Sequence, residues 1–141
     1  MQSNITFYTK PYITLIFPNR EKMPTLIACL STGKGTWGHV SRLIAESSWD
    51  KVFLITNDFG RENFTTAGKN TELIIINQKQ GIKELAAEIE SKLKNKIKDP
   101  EVALNLVSGT GKEHTAILSA VLKLGLGIRL VALTHQGMEE I

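Results

Sequence analysis

An α/β fold with a doubly wound parallel sheet is what this sequence predicts, on three observations. Five short apolar runs rich in β-branched residues recur along the chain, and continuous runs of this kind mark strands covered on both faces. They alternate with segments of helical period, and strict strand–helix alternation implies right-handed crossovers within one sheet. Two glycine-rich junctions, each carrying a lysine, sit where a strand hands over to a helix.

The elements follow in order. Residues 1–22 stand outside the rhythm as an N-terminal extension. Within them Tyr12-Ile13-Thr14-Leu15-Ile16-Phe17 is read either as an extra edge strand or as part of a leader with no chemical role. From Met23 to Ile141 the pattern is that of one domain. Leu26 to Leu30 is the first buried strand, and a helix runs from about Gly38 to Ser47. Lys51 to Thr56 is the second strand and Glu72 to Ile76 the third. Between them, Asp58 to Asn70 has room only for a short helix around Arg61 to Thr66. A long helix spans about Gly81 to Ile97, because Ile82, Leu85, Ala86, Ile89, Leu93 and Ile97 keep the 3.6-residue period and Asp99-Pro100 stops it. Val102 to Val107 is the fourth strand, Lys112 to Leu124 the next helix, and Ile128 to Leu133 the fifth strand, with Gly125 and Gly127 supplying the helix stop.

Composition narrows the function classes. The chain has 141 residues, 42% hydrophobic and 22% charged, which is ordinary for a globular domain. A net charge of +3 does not argue for duplex DNA binding, and Lys92, Lys94, Lys96 and Lys98 read as the solvated face of a helix. Cys29 is the one cysteine, so no internal disulfide forms. It reads as a small core hydrophobe, and with no signal peptide or apolar run of about 18 residues, a cytoplasmic protein is expected.

A five-stranded order 3-2-1-4-5 makes strands 1 and 4 neighbours, and ligands of open α/β sheets bind where the winding reverses. Both glycine-rich junctions then flank one crevice. The first is Ser31-Thr32-Gly33-Lys34-Gly35-Thr36-Trp37-Gly38-His39; the second is Ser108-Gly109-Thr110-Gly111-Lys112-Glu113-His114-Thr115. Glycine turns backbone N–H groups toward a ligand, and a helix N-terminus adds about half a positive charge, so the pair suits a phosphate. The candidate binding residues are Thr32, Gly33, Lys34, Gly35 and Thr36 in the first junction, with Ser108, Gly109, Thr110, Gly111, Lys112 and His114 in the second. Lys112 stands out because a cation at a helix start wants an external anion. The hydroxyls of Ser31, Thr32, Ser108 and Thr110 either donate to the ligand or cap the loops. Glu113 reads as a complement to the helix dipole. His39 and His114 are acid–base candidates or packing residues, and Trp37 either stacks on a base or buries in a contact. No metal-ligand spacing occurs, and no cofactor is expected.

Three motifs compete for this region. A Walker A loop fails, because His39 and Val40 stand where lysine and a hydroxyl residue belong after Gly33 and Gly38. Gly33-Lys34-Gly35-Thr36-Trp37-Gly38 matches the dinucleotide pattern G-x-G-x-x-G, with Asp58 about 20 residues on, although Lys34 and Trp37 crowd the turn. Asn105-Leu106-Val107-Ser108-Gly109-Thr110-Gly111-Lys112, followed by the apolar helix Ala116 to Leu124, resembles the N-x-T-G-G-T-K segment of CARF domains, the CRISPR-associated Rossmann-like domains. The specific part covers about eight residues, and the order here is Ser-Gly-Thr-Gly-Lys.

The resemblance implies a Rossmann-like homodimer whose two crevices join into one pocket for a cyclic oligoadenylate, a second messenger of antiviral defence. A two-fold dimer presents each loop twice, which suits a ring of repeated adenylates. It also implies an alternative, a metal-independent ring nuclease in which the ribose 2′-OH attacks the adjacent phosphate and leaves a 2′,3′-cyclic phosphate. Lys112 would stabilise the developing charge, and Ser31 is the second candidate catalytic residue. An NAD(P)- or FAD-binding oxidoreductase, resting on G-x-G-x-x-G alone, is the third reading.

Overall fold

Alternation along each strand decides which layer its side chains join. The computed structural model describes residues 23–30, 33–65, 68 and 70–141. The segment expected as an extra N-terminal edge strand lies outside them, as do Ser31 and Thr32. The strands are β1 (Met23–Cys29), β2 (Trp49–Thr56), β3 (Thr71–Ile75), β4 (Glu101–Asn105), β5 (Gly127–Thr134) and β6 (Gly137–Glu140). The helices are α1 (Trp37–Ala45), preceded by a 3-10 turn at Lys34–Thr36, then α2 (Asp58–Asn63), α3 (Ile82–Leu93) and α4 (Gly111–Lys123). One six-stranded sheet runs in the order β3-β2-β1-β4-β5-β6, parallel except for β6. This is the doubly wound, Rossmann-like arrangement, with the expected 3-2-1-4-5 order intact.

Two cores follow from the alternation. Leu26, Ala28 and Leu30 face α1, packing with Trp37, Val40, Leu43 and Ile44. Ile27 and Cys29 face the opposite layer, where Leu85, Ile89 and Leu93 of α3 meet Ala116, Ile117 and Ala120 of α4. Each large side chain buried this completely contributes about 1.5–3 kcal/mol, so the layers, not helix propensity, hold these elements in place.

Several element ends differ from expectation. α2 starts at Asp58, not Arg61, because the Asn57 side chain accepts a hydrogen bond from Gly60 N at 3.0 Å and caps it. α3 stops at Leu93 rather than Ile97, where Asn95 takes a positive φ of 67°, though Ile97 still packs on the core. β4 stops at Asn105, and Leu106 and Val107 enter the turn that feeds α4. β6 is an addition the sequence reading lacked. Its turn residues His135 and Gln136 have ordinary backbone, Gly137 supplies the left-handed step (φ 108°), and Leu133 pairs with Met138. Arg129 ties the edge together through Glu101 of β4 at 2.9 Å and Glu140 of β6 at 3.3 Å.

Candidate functional site

β1 and β4 run side by side, with Ala28 opposite Asn105, so their carboxyl ends open on the switch point together. From there β1 feeds α1 on one face and β4 feeds α4 on the other. The two glycine-rich junctions therefore start from adjacent strand ends, as expected. The second touches the first strand directly: a Cβ at Gly109 would stand 2.6 Å from Cys29 Sγ.

Neither Gly33 nor Thr36 caps its helix through a side chain, and no acidic residue lies in the first turn of α1. Gly33, Lys34 and Gly35 are exposed and Thr36 is half-buried. Lys34 Nζ sits 5.7 Å from the Trp37 ring and 5.8 Å from that of Phe59, and among the described residues it has no carboxylate partner. Trp37 is buried against Phe59 and, edge-on, against Phe64, so it anchors α1 rather than presenting a stacking face. The third glycine of a dinucleotide fingerprint exists to let helix and strand pack closely. Gly38 does no such work: it is exposed, and a Cβ there would meet nothing within 4 Å. Asp58, placed by that reading on a ribose, is exposed and paired with Arg61 at 2.9 Å.

The second junction is largely occupied by its own side chains. Thr110 and Glu113 form a capping box: Glu113 N donates to Thr110 Oγ1 at 3.2 Å, and Thr110 N donates to Glu113 Oε1 at 2.9 Å. Glu113 is buried and also accepts from Gln78 Nε2, while Cys29 Sγ lies 3.9 Å from its Oε1. Burial, with that carboxylate beside it, pushes the Cys29 thiol far above its ordinary range. Ser108 is buried, and its carbonyl faces His114 Nε2 at 2.8 Å, which braces the left-handed turn at Gly109. Gly111 is exposed at the helix start. Lys112 reaches the turn after β3, where Nζ donates to Gln78 O at 3.0 Å and to Gln80 O. Two neutral carbonyls position the ammonium without neutralising it. Asn57 Nδ2 donates to Gln78 Oε1, so the end of β1 and the loops after β2, β3 and β4 are joined through Gln78 and Glu113.

Sequence reasoning missed three contributors. Gln78 and Gln80 lie in a polar loop with no local signal for long-range contacts. Asn105 had one: a polar residue inside an apolar strand run wants an explanation. It is fully buried at the carboxyl end of β4, where Nδ2 donates to Val131 O at 2.9 Å and lies 3.2 Å from His39 Nε2. Leu133 N also points at that ring nitrogen, at 3.5 Å. Two donors converging on Nε2 make it the acceptor, so His39 is neutral with its proton on Nδ1. Burial first, then the nearby Arg42, holds its pKa below the usual histidine value. Asn105 Oδ1 has no hydrogen-bond partner. A buried acceptor left this way costs about 1–3 kcal/mol.

Next to Phe59, a cleft of about 430 Å³ opens at the carboxyl ends of β2 and β3, lined by Asn57, Ile76, Asn77 and Lys79 among others. Among the described residues no group of three His, Cys, Asp or Glu side chains could hold a metal ion, and no helix is long and apolar enough to cross a membrane. Neither a protein-family model nor a curated protein matches this sequence.

Proposed function

We propose that this chain is a nucleotide-binding module whose ligand is a cyclic oligoadenylate, held by a cytoplasmic two-fold homodimer in CRISPR defence signalling. The observation that carries the reading is a pair of lysines, one in each junction, at the carboxyl end of the sheet. Lys34 and Lys112 lack carboxylate partners among the described residues, and the first turn of α1 lacks a side-chain cap. Such an arrangement favours a phosphate-bearing ligand. The likeness of residues 105–112 to the CARF segment selects a cyclic oligoadenylate among such ligands. Binding is favoured over cleavage because the imidazoles of His39 and His114 are engaged by Asn105, Leu133 and Ser108. The exposed, open Gly38 weighs against a dinucleotide oxidoreductase.

Isothermal titration with cyclic tetra-adenylate, cyclic hexa-adenylate, NAD and ATP tests the ligand. One cyclic adenylate should bind far more tightly than NAD or ATP, and Lys112→Ala should weaken it by about 1.5–3 kcal/mol. Wild-type protein that binds neither ring, or a Lys112→Ala variant that binds equally well, would refute the reading. Sedimentation equilibrium should show twice the chain mass when the ring is saturating. A monomer under those conditions removes the shared-pocket geometry.

A further inference from the structure

The cleft at the carboxyl ends of β2 and β3 has no role in the function proposed above. It lies on the far side of β1 from β4, away from the glycine turn at Gly109. Its volume of about 430 Å³ is that of a ligand pocket, which typically measures about 300–1,000 Å³. Phe59, Ile75 and Ile76 give it an apolar lining, and Phe59 leaves 37% of its surface exposed. The charges in its wall cancel: Lys79 and Lys92 stand against Asp58 and Glu88. Two of these are already engaged, Lys92 with Glu88 at 2.9 Å and Asp58 with Arg61 at 2.9 Å. A phosphate placed there would meet two carboxylates, whereas a flat neutral ring would meet apolar surface. Asn77 adds one directed polar group. Its Oδ1 accepts from Lys79 N at 3.1 Å, which fixes the amide, and Nδ2 has no protein partner among the described residues.

The cleft's borders carry the charge that its wall lacks. Lys34 Nζ lies 5.8 Å from the Phe59 ring, and Lys112 Nζ donates at 3.0 Å to the carbonyl of Gln78, which also lines the cleft. A neutral aromatic pocket bordered by two cations matches a molecule with a flat ring at one end and an anion at the other. We propose that this cleft is a nucleobase site: an adenine ring packs on Phe59 and accepts a hydrogen bond from Asn77 Nδ2, while its phosphate lies outside, toward Lys34 and Lys112. The inference rests on the reading that a nucleotide binds at this end of the sheet. Adenine suits the site because its ring nitrogens are acceptors and its faces stack on an aromatic side chain. The division of labour is then spatial. The junction lysines take the charge, and the β2–β3 cleft takes the base.

NMR titrations that follow side-chain amide and aromatic signals test the assignment with adenosine, AMP and ribose 5-phosphate. Adenosine and AMP should move the Asn77 amide and Phe59 ring signals of wild type, and ribose 5-phosphate should leave both in place. Phe59→Ala and Asn77→Asp should each weaken adenosine about tenfold. The first removes the stacking surface; the second removes the donor but keeps the oxygen that accepts from Lys79. If Phe59→Ala does not fold, Phe59→Leu replaces it, keeping an apolar contact for Trp37 without a ring. Adenosine that leaves the cleft signals unmoved, or that binds either variant as tightly as wild type, overturns the proposal. Failure of the functional reading looks different. If no cyclic adenylate binds, yet adenosine moves the cleft signals and both variants weaken it, that reading falls and the base site stands. If a cyclic adenylate binds with the cleft signals unmoved, the functional reading stands and the base site falls.

Discussion

His39 and Asn105 form a contact whose strength depends on one proton. The folded protein holds the His39 pKa below the ordinary value, through burial and then Arg42, so protonation favours the unfolded chain. The stabilising contribution of the neutral ring is present above the ordinary histidine pKa and is lost as pH falls through it toward the lower folded value. Urea midpoints should therefore be higher at pH 7.5 than at pH 5.5. In His39→Gln that difference should shrink. A difference of the same size in both proteins would place the titration elsewhere. Residue types in the two junctions were legible because glycine, lysine and hydroxyl residues cluster there. Their partners were legible only in part: Thr110-x-x-Glu113 has the spacing of a capping box, which the reading of Glu113 as a dipole complement passed over, whereas no local pattern shows that Lys112 reaches Gln78 and Gln80.

Among the elements, the start of α4 has the most closely determined geometry. Gly109 adopts φ 115°, and a Cβ there would lie 2.6 Å from Cys29 Sγ and 2.8 Å from His114 Nε2. Gly109→Ala should destabilise by about 1–3 kcal/mol from the backbone alone, with the clash added. Thr110→Ala removes only the side-chain half of the capping box and should cost about 1 kcal/mol. Chemical denaturation of the two variants should rank them in that order, and a milder Gly109→Ala would mean that the turn relaxes freely. The helices were legible where apolar periodicity ran long, as in α3. Their ends were set by particulars that periodicity ignores: the Asn57 cap moved α2, and the positive φ at Asn95 closed the helical run early. β6 escaped notice because Gly-Met-Glu-Glu offers a single apolar residue and no alternation to read.

At the scale of the molecule, strand order and two-sided layering were readable, since each follows from strand–helix alternation and from the handedness of crossovers. What no local pattern carried is the joining of three loops and the end of β1 across the top of the sheet through Gln78 and Glu113. That joining gives the lone thiol a use as a clock. Cys29 lies on the floor of the second junction, directly beneath Gly109, with 1% of its surface exposed. A thiol reagent reaches it only when the junction lifts, so its labelling rate divided by that of the unfolded chain measures how often the roof opens. Wild type should label orders of magnitude more slowly than protein in urea. Glu113→Gln keeps the shape but weakens the hydrogen bonds that hold the roof, and should label faster well below its unfolding midpoint. Equal rates in the two proteins would mean that the thiol is reached by some route other than this junction.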